Sequence, residues 1–162
     1  EEPERRLELT KVIVDYATTK YQIPIEDIVI DPLAMPIGAD STMVVRTMET
    51  IRLIREQVGV NMTLGASNVS FGMPDRHTLN AVFIPMAMAV GLTSAIMDSR
   101  TAQIVMAVRA ADLMLGNDEW GASWIAAQTA APEEMPIGMP SRLLTCLDIG
   151  PESDSFTRMT SS

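Results

Sequence analysis

The stretch that decides the fold is LGASNVSFGMPDR, residues 64–76. It continues the apolar run 60–64, which predicts a strand, and its Pro74 and Asp75 predict the start of a helix. Asn68 therefore lies just beyond the carboxyl end of a strand, where α/β proteins hold their ligands. A second turn of this kind, IVIDPL at 28–33, offers Asp31 in the equivalent place.

Around these two turns, helices alternate with short apolar strands. We predict helices over 4–20, from the caps at 40–42 to Gly59, over 75–91 and over 101–115, and a short last helix with Trp120 and Trp124. The predicted strands are 27–30, 60–64 and 94–97. Strands separated by helices pair in parallel and are covered on both faces, so the predicted fold class is α/β. Asp31, Asn68 and Asp98 then meet at one edge of the sheet.

Apolar spacing predicts which helix faces point inward. Four apolar residues recur at helical spacing in the first helix: Leu9, Val12, Ile13 and Tyr16. Five are predicted inward in the third helix, which Pro85 should kink: Leu79, Val82, Phe83, Met86 and Val90. Four are predicted inward in the fourth: Ile104, Val108, Ala111 and Leu115. The thirteen methionines are interpreted as core filling, with a methionine-lined partner surface as the alternative.

Composition excludes several functions. The 162 residues suffice for one domain, and a net charge of −9 argues against nucleic acid as a partner. One cysteine and one histidine argue against a Cys/His metal site and a Ser-His-Asp triad. Because there is neither an uncharged apolar run of membrane length nor an apolar signal core in the first residues, we expect a cytoplasmic protein that spans no membrane.

Each candidate site residue has two interpretations. The Asp31 carboxylate suits the planar N–H edge of a pterin or guanine, or it caps its own turn. Asn68 offers a donor and an acceptor to a ligand, or is an ordinary turn residue. Arg76, near a helix start, binds an anion or is solvated. Asp98 binds ligand or caps the next helix as its N-cap.

Three segments resemble one family: DPL at 31–33, LGASNVSFGMPDR at 64–76 and LNAVFIPMAMAVGLTSAIMD at 79–98. They are similar to the pterin-binding methyltransferases, which comprise the methyltetrahydrofolate:corrinoid methyltransferases and the folate domain of cobalamin-dependent methionine synthase. The resemblance covers roughly residues 5–127. It implies a TIM barrel, usually dimeric, with methyltetrahydrofolate as substrate and a cobalt corrinoid (cobalamin) on a partner protein or domain as methyl acceptor.

The resemblance also implies roles for single residues. Asp31 matches the aspartate that holds the pterin ring, and Asn68 the asparagine near the reacting nitrogen. Phe71 stands where some members have Gln, and Ile96 matches an apolar residue near the pterin. We therefore expect Asn68 to be catalytic, no metal to be bound directly, and substrate to be bound by Asp31, Ser67, Asn68, Phe71, Arg76, Ile96 and Asp98.

The chain is shorter than the family's barrel, which needs about 250 residues and eight strands. We therefore expect residues 1–128 to be the C-terminal part of a pterin-binding barrel, with three parallel strands and crossover helices, and 129–162 to be an irregular tail. The leading hypothesis is transfer of a methyl group from pterin N5 to a corrinoid cobalt by a homo-oligomer. Two alternatives stay open: a non-catalytic half-barrel that acts as an interaction or oligomerisation module, and a pterin enzyme like dihydropteroate synthase.

Overall fold

Five α-helices and a small parallel sheet make up residues 2–129, the part of the chain that the computed structural model describes. The helices are α1 (Pro3–Tyr21), α2 (Met43–Gln57), α3 (Arg76–Ala89), α4 (Ala102–Met114) and α5 (Ala122–Thr129). The strands are β1 (Val29–Ile30) and β2 (Asn61–Met62). Single 3₁₀ turns cover Ile25–Asp27, Ala66–Ser70 and Glu119–Gly121. The predicted α/β class is confirmed, as a helix-rich fold around a small parallel sheet.

The sheet is shorter than predicted. β1 and β2 pair in parallel, with Ile30 opposite Met62. The third predicted strand lies beside β2 as expected, but it forms only one isolated parallel bridge, between Gly65 and Ile96. Three backbone hydrogen bonds hold it there, from the Ser94 N–H to the Met62 carbonyl at 2.9 Å, from the Ile96 N–H to the Leu64 carbonyl at 2.8 Å and from the Ala66 N–H to the Ile96 carbonyl at 3.0 Å.

A side chain ends the ladder at the N-terminal end of the third strand. The Met62 N–H, which would continue the ladder, donates instead to the Thr93 hydroxyl at 2.7 Å. The same hydroxyl is 2.8 Å from the Met62 carbonyl oxygen. A side-chain hydroxyl thus replaces a backbone partner and ends the ladder.

Helix bounds follow local signals in the sequence. α1 begins at Pro3, whose missing N–H costs nothing in a first turn, and ends at Tyr21, directly before Gln22 in the left-handed conformation (φ 56°). α2 ends before Gly59, where φ is 74°. α3 continues four residues past Pro85. These helices therefore lie within a few residues of their predicted ranges.

The core lies between the sheet and one face of each of the first four helices. Its fully buried centre includes Ile51, Ile54, Met62, Leu64 and Ile84. The predicted inward residues of α4 are buried except Leu115, which is 43% exposed. None of the helices within residues 2–129 is long and apolar enough to span a membrane. The predicted tail falls outside the described residues apart from Thr129, which ends α5.

The inward faces of two helices differ from prediction. In α3, Val82 and Met86 are 56% and 46% exposed, whereas Ala81 and Ala87 are buried. In α1, the apolar row 9, 12, 13 and 16 is exposed, and Arg6, Leu7, Thr10 and Val14 are buried instead. α3 packs on α4, and α1 packs on α2. Where two helices approach closely, the side chains buried between them are those whose size and shape fit the contact, and these are not always the most hydrophobic ones.

Candidate functional site

The predicted site residues follow neighbouring strands at one edge of the sheet. Asp31 comes directly after β1, Asn68 lies in the 3₁₀ turn after β2, and Asp98 follows the bridge at Ile96 by two residues. Because the pairing is parallel, all three segments end at the same edge. This is the edge at which α/β proteins bind ligands.

The loop after β1 and the turn after β2 are joined to each other. The Ile37 N–H donates to the Val69 carbonyl oxygen at 3.0 Å. Beside it, a Cβ atom added to Gly38 would lie 3.4 Å from the Phe71 carbonyl oxygen. The loop that carries Asp31 and the turn that carries Asn68 therefore form one continuous surface.

Asn68 presents a free side-chain amide on this surface. Its backbone is held in the turn by hydrogen bonds from its own N–H to the Gly65 carbonyl and from the Phe71 N–H to its carbonyl, both 3.1 Å. The side chain is exposed and makes no hydrogen bond within residues 2–129. It lies so close to Gly65 that a Cβ there would sit 2.9 Å from Nδ2. Glycine at 65 thus leaves room for an amide whose donors and acceptor are open to a ligand.

Asp31 caps its own turn with one carboxylate oxygen. Its Oδ1 accepts a hydrogen bond from the Leu33 N–H at 2.8 Å, as the turn interpretation predicts. Asp31 is exposed, and its other oxygen has no partner within the described residues. The turn contact fixes the side chain while leaving one oxygen for a ligand, so the two interpretations are compatible.

Arg76 binds the turn itself. Its Nη2 donates to the Ser67 carbonyl at 2.8 Å and its Nε to the Ser70 hydroxyl at 3.1 Å. The guanidinium also lies 6.0 Å from the centre of the Phe71 ring, which is 67% exposed. Arg76 is therefore not a merely solvated side chain, because it holds three parts of the turn in place from the first residue of α3. Neither sequence interpretation anticipated these contacts.

Asp98 is occupied by a neighbour. Its Oδ1 accepts from the Arg100 backbone N–H at 3.0 Å and from Arg100 Nε at 2.9 Å. These hydrogen bonds with Arg100 lower the pKa of the Asp98 carboxyl below its ordinary value. The prediction that Asp98 is the N-cap of α4 is wrong, because Thr101 precedes the helix and Asp98 closes the turn before it. Ile96, half-buried, contributes its backbone to the bridge with Gly65.

One residue at the site escaped the sequence analysis. Arg6, on the buried face of α1, donates from Nη1 to the carbonyl oxygens of Pro32 and Leu33, at 2.9 and 3.1 Å. The sequence signal that could have found Arg6 is its spacing of four residues from Thr10, which in turn is four residues from Val14. This spacing places the three residues on one face of a helix.

Comparison with known proteins gives two findings. The family model described as "pterin binding enzyme" matches residues 7–98, which contain every predicted site residue. A methylcorrinoid:tetrahydrofolate methyltransferase from Eubacterium limosum is 36% identical over 116 residues, covering 71% of this chain and 42% of that protein. The chain thus spans less than half the length of this relative. Both findings agree with the resemblance carried by the segments at 31–33 and 64–76.

Proposed function

The chain belongs to the pterin-binding enzyme family, and on that premise we propose that it takes part in methyl transfer between a tetrahydrofolate and a corrinoid carried by a partner protein. The observation that carries the proposal is the free amide of Asn68, held at the ligand-binding edge of the sheet by a braced turn. The similarity to a protein named for this reaction favours it over a dihydropteroate-synthase-like reaction.

Asp31 is the proposed pterin ligand. A pterin presents neighbouring N–H donors along one planar edge, and a carboxylate oxygen accepts such donors with charge-assisted strength. The Leu33 N–H fixes one oxygen of Asp31 at 2.8 Å and so orients the exposed other one. Ser67 in the Ala66–Ser70 turn, Phe71 directly after it, and Ile96 are proposed to contact the rest of the substrate.

Asn68 is the proposed catalytic residue. An N-methyl amine is a poor methyl donor because nitrogen leaves as an unstable anion unless a proton or a hydrogen bond stabilises it. An amide donor placed at the methyl-bearing nitrogen, N5, strengthens its hydrogen bond as the bond to carbon breaks and so lowers the barrier. Asn68 suits this task because no group within the described residues competes for its amide.

A corrinoid on a docked partner protein would supply the cobalt with which the pterin exchanges the methyl group. Nothing in this chain needs to be a nucleophile, which fits a site built from an amide, a carboxylate and braced backbone. The name of the relative places the methyl group on the corrinoid at the start and on tetrahydrofolate at the end. Our predicted direction is the opposite one. The proposed contacts of Asn68 serve both directions, because forward and reverse transfer share one transition state.

We further propose that residues 1–128 form the C-terminal part of an eight-stranded barrel, and that the protein is a cytoplasmic homo-oligomer. The alternation of helices with strands that pair in parallel supports the barrel assignment.

Calorimetry with methyltetrahydrofolate tests the proposal on the full-length protein. We expect binding by the wild type and at least tenfold weaker binding by Asp31→Asn, since about 1.4 kcal/mol of lost charge-assisted bonding corresponds to that factor. Asp27→Asn is the matched control, because Asp27 is exposed at the opposite end of β1. A wild type that takes up no folate contradicts the proposal, and unchanged affinity in Asp31→Asn removes that residue from it.

A second candidate function is the interaction module. The observation that favours it is the exposed apolar row on α1, in which Val12 and Ile13 are 66% and 54% exposed. A second copy of the chain is the occupant that a homo-oligomer requires. Light scattering on Val12→Glu tests it, with Val45→Glu on α2, where valine is 70% exposed, as control. This function is favoured if the oligomer dissociates in Val12→Glu and not in Val45→Glu, and if the wild type has no affinity for folate.

A further inference from the structure

Arg6 is a buried cation without a carboxylate partner in the described part of the chain. Its relative exposure is 9%, and no Asp or Glu within residues 2–129 lies at ion-pair distance. Its Nε is also buried with no hydrogen-bond partner. Burying a guanidinium in this way costs free energy. A neutral side chain of similar length would fill the same space without that cost.

What Arg6 does contact is the loop that carries Asp31. A single nitrogen, Nη1, donates to two consecutive carbonyl oxygens, those of Pro32 and Leu33, at 2.9 and 3.1 Å. Hydrogen bonds from a cation are stronger than those between neutral groups, and more so away from water. The contact also spans 26 residues of sequence, so it ties α1 to the end of β1.

The loop needs such a tie because its backbone is strained at Leu33. The φ angle of Leu33 is 64°, in the left-handed region that a leucine rarely adopts. The Leu33 N–H donates to Asp31 Oδ1 at 2.8 Å, and it belongs to the same peptide unit as the Pro32 carbonyl oxygen that Arg6 holds. In this left-handed conformation the Leu33 carbonyl oxygen also accepts from Arg6, at 3.1 Å. The Thr47 hydroxyl of α2 lies 3.4 Å from the same carbonyl, a longer contact.

We propose that Arg6 is a positioning residue for the substrate. It holds the peptide unit between Pro32 and Leu33 by its carbonyl oxygen, and the N–H of that unit in turn fixes the Asp31 carboxylate in the orientation that accepts the pterin edge. This inference rests on the proposed function, since it gives a purpose to the orientation of Asp31. The buried cation thus lowers the folding stability, and in return the Asp31 carboxylate is already oriented before the substrate binds.

The test is a double-mutant cycle in the full-length protein, read as the affinity for methyltetrahydrofolate by calorimetry. Arg6→Met should weaken binding about tenfold in the wild-type background and hardly at all in an Asp31→Asn background, because its effect passes through Asp31. A merely structural role predicts the same loss in both backgrounds. Arg5→Met is the matched control, since Arg5 is the neighbouring arginine, exposed and paired with Glu8.

Two further measurements keep the outcome decisive. Hydrogen exchange at the Leu33 amide should accelerate in Arg6→Met and not in Arg5→Met, whether or not folate is present. If Arg6→Met does not fold, Arg6→Lys retains a cation and should show intermediate affinity. If the wild type binds folate and Arg6→Met binds it with equal affinity, the role assigned to Arg6 is overturned and the proposed function stands. A wild type that binds no folate overturns the proposed function and, with it, the purpose assigned to Arg6.

Discussion

The guanidinium of Arg76 donates to the carbonyl oxygen of Ser67 at 2.8 Å, across nine residues of sequence. The contact joins the first residue of α3 to the turn that presents Asn68, and a second bond to the Ser70 hydroxyl makes it a two-point brace. An arginine at the start of a helix is unfavourable for the helix dipole. Its hydrogen bonds to the turn offset that cost, so the helix and the candidate catalytic residue are fixed relative to each other.

Replacement of Arg76 by Ala should therefore loosen the turn. Since each lost hydrogen bond contributes about 1 kcal/mol at most in so exposed a place, the free energy of unfolding should fall by about 1–2 kcal/mol. The methyl-transfer rate should fall at least tenfold, because small displacements of a catalytic group are costly. Chemical denaturation and steady-state kinetics measure the two effects. His77→Ala, at the next exposed position, should change neither. An Arg76→Ala protein of normal rate would show that the brace is dispensable for Asn68.

Gly65→Ala should disturb Asn68 with little effect on folding. The added Cβ would lie 2.9 Å from Asn68 Nδ2, and φ at Gly65 is −73°, which alanine adopts without strain. The exposed amide can swing away, so the free energy of unfolding should change by less than about 1 kcal/mol. The rate of methyl transfer should fall. Gly38→Ala is the matched control, because its Cβ meets neighbours at ordinary distances of 3.4 and 3.5 Å. Equal rates for the two variants would contradict the proposed position of the amide.

Asn68→Ala should abolish most of the catalysis while retaining substrate. Loss of hydrogen-bond assistance to a leaving nitrogen lowers kcat by about a hundredfold or more, whereas the Asp31 contact keeps methyltetrahydrofolate bound. Rapid-mixing kinetics with the corrinoid protein, alongside calorimetry, separates the two quantities. Asn61→Ala serves as control, since Asn61 lies in β2 and its amide bonds the Glu26 carbonyl at 3.3 Å. Loss of binding with an unchanged rate at saturation would reassign Asn68 to substrate binding.

The buried carboxyl of Asp112 should make stability depend on pH. Burial raises its pKa; the hydrogen bond from Asn117 opposes this and nearby Asp118 adds to it. The unfolded chain then loses this proton at a lower pH than the folded protein does. The free energy of unfolding of the wild type, compared with that of Asp112→Asn, should therefore fall as the pH rises. The fall begins near the ordinary aspartate pKa of about 3.9 and ends at the raised pKa of the folded protein.

Denaturation of wild type and Asp112→Asn over a pH series measures this difference. Asp40→Asn should show the opposite sign, because hydrogen bonds from Thr42 lower the pKa of Asp40, and its contribution to stability is lost as pH falls. A difference between wild type and Asp112→Asn that does not change with pH would mean that Asp112 titrates normally.

The helices and the site edge could be predicted because their signals are local. Pro3, Gly59 and the apolar spacing of α4 act within a few residues, and the parallel order of the strands follows from the helices between them. The third strand was overestimated, and the bond from the Met62 N–H to the Thr93 hydroxyl, which ends its ladder on the N-terminal side, spans 31 residues and has no local signal. The exposed row of α1 was likewise beyond prediction, since which face is covered depends on where α2 packs.

By itself the sequence determined the α/β class, the family and the places of Asp31 and Asn68, because turn chemistry and short motifs are properties of neighbouring residues. Tertiary structure alone decided what holds these residues. Arg76 reaches back to the turn, Ile37 joins the two loops, and Arg6 fixes the strained Leu33. Such contacts depend on the approach of distant backbone segments, and one side chain can satisfy them only after the helices have packed.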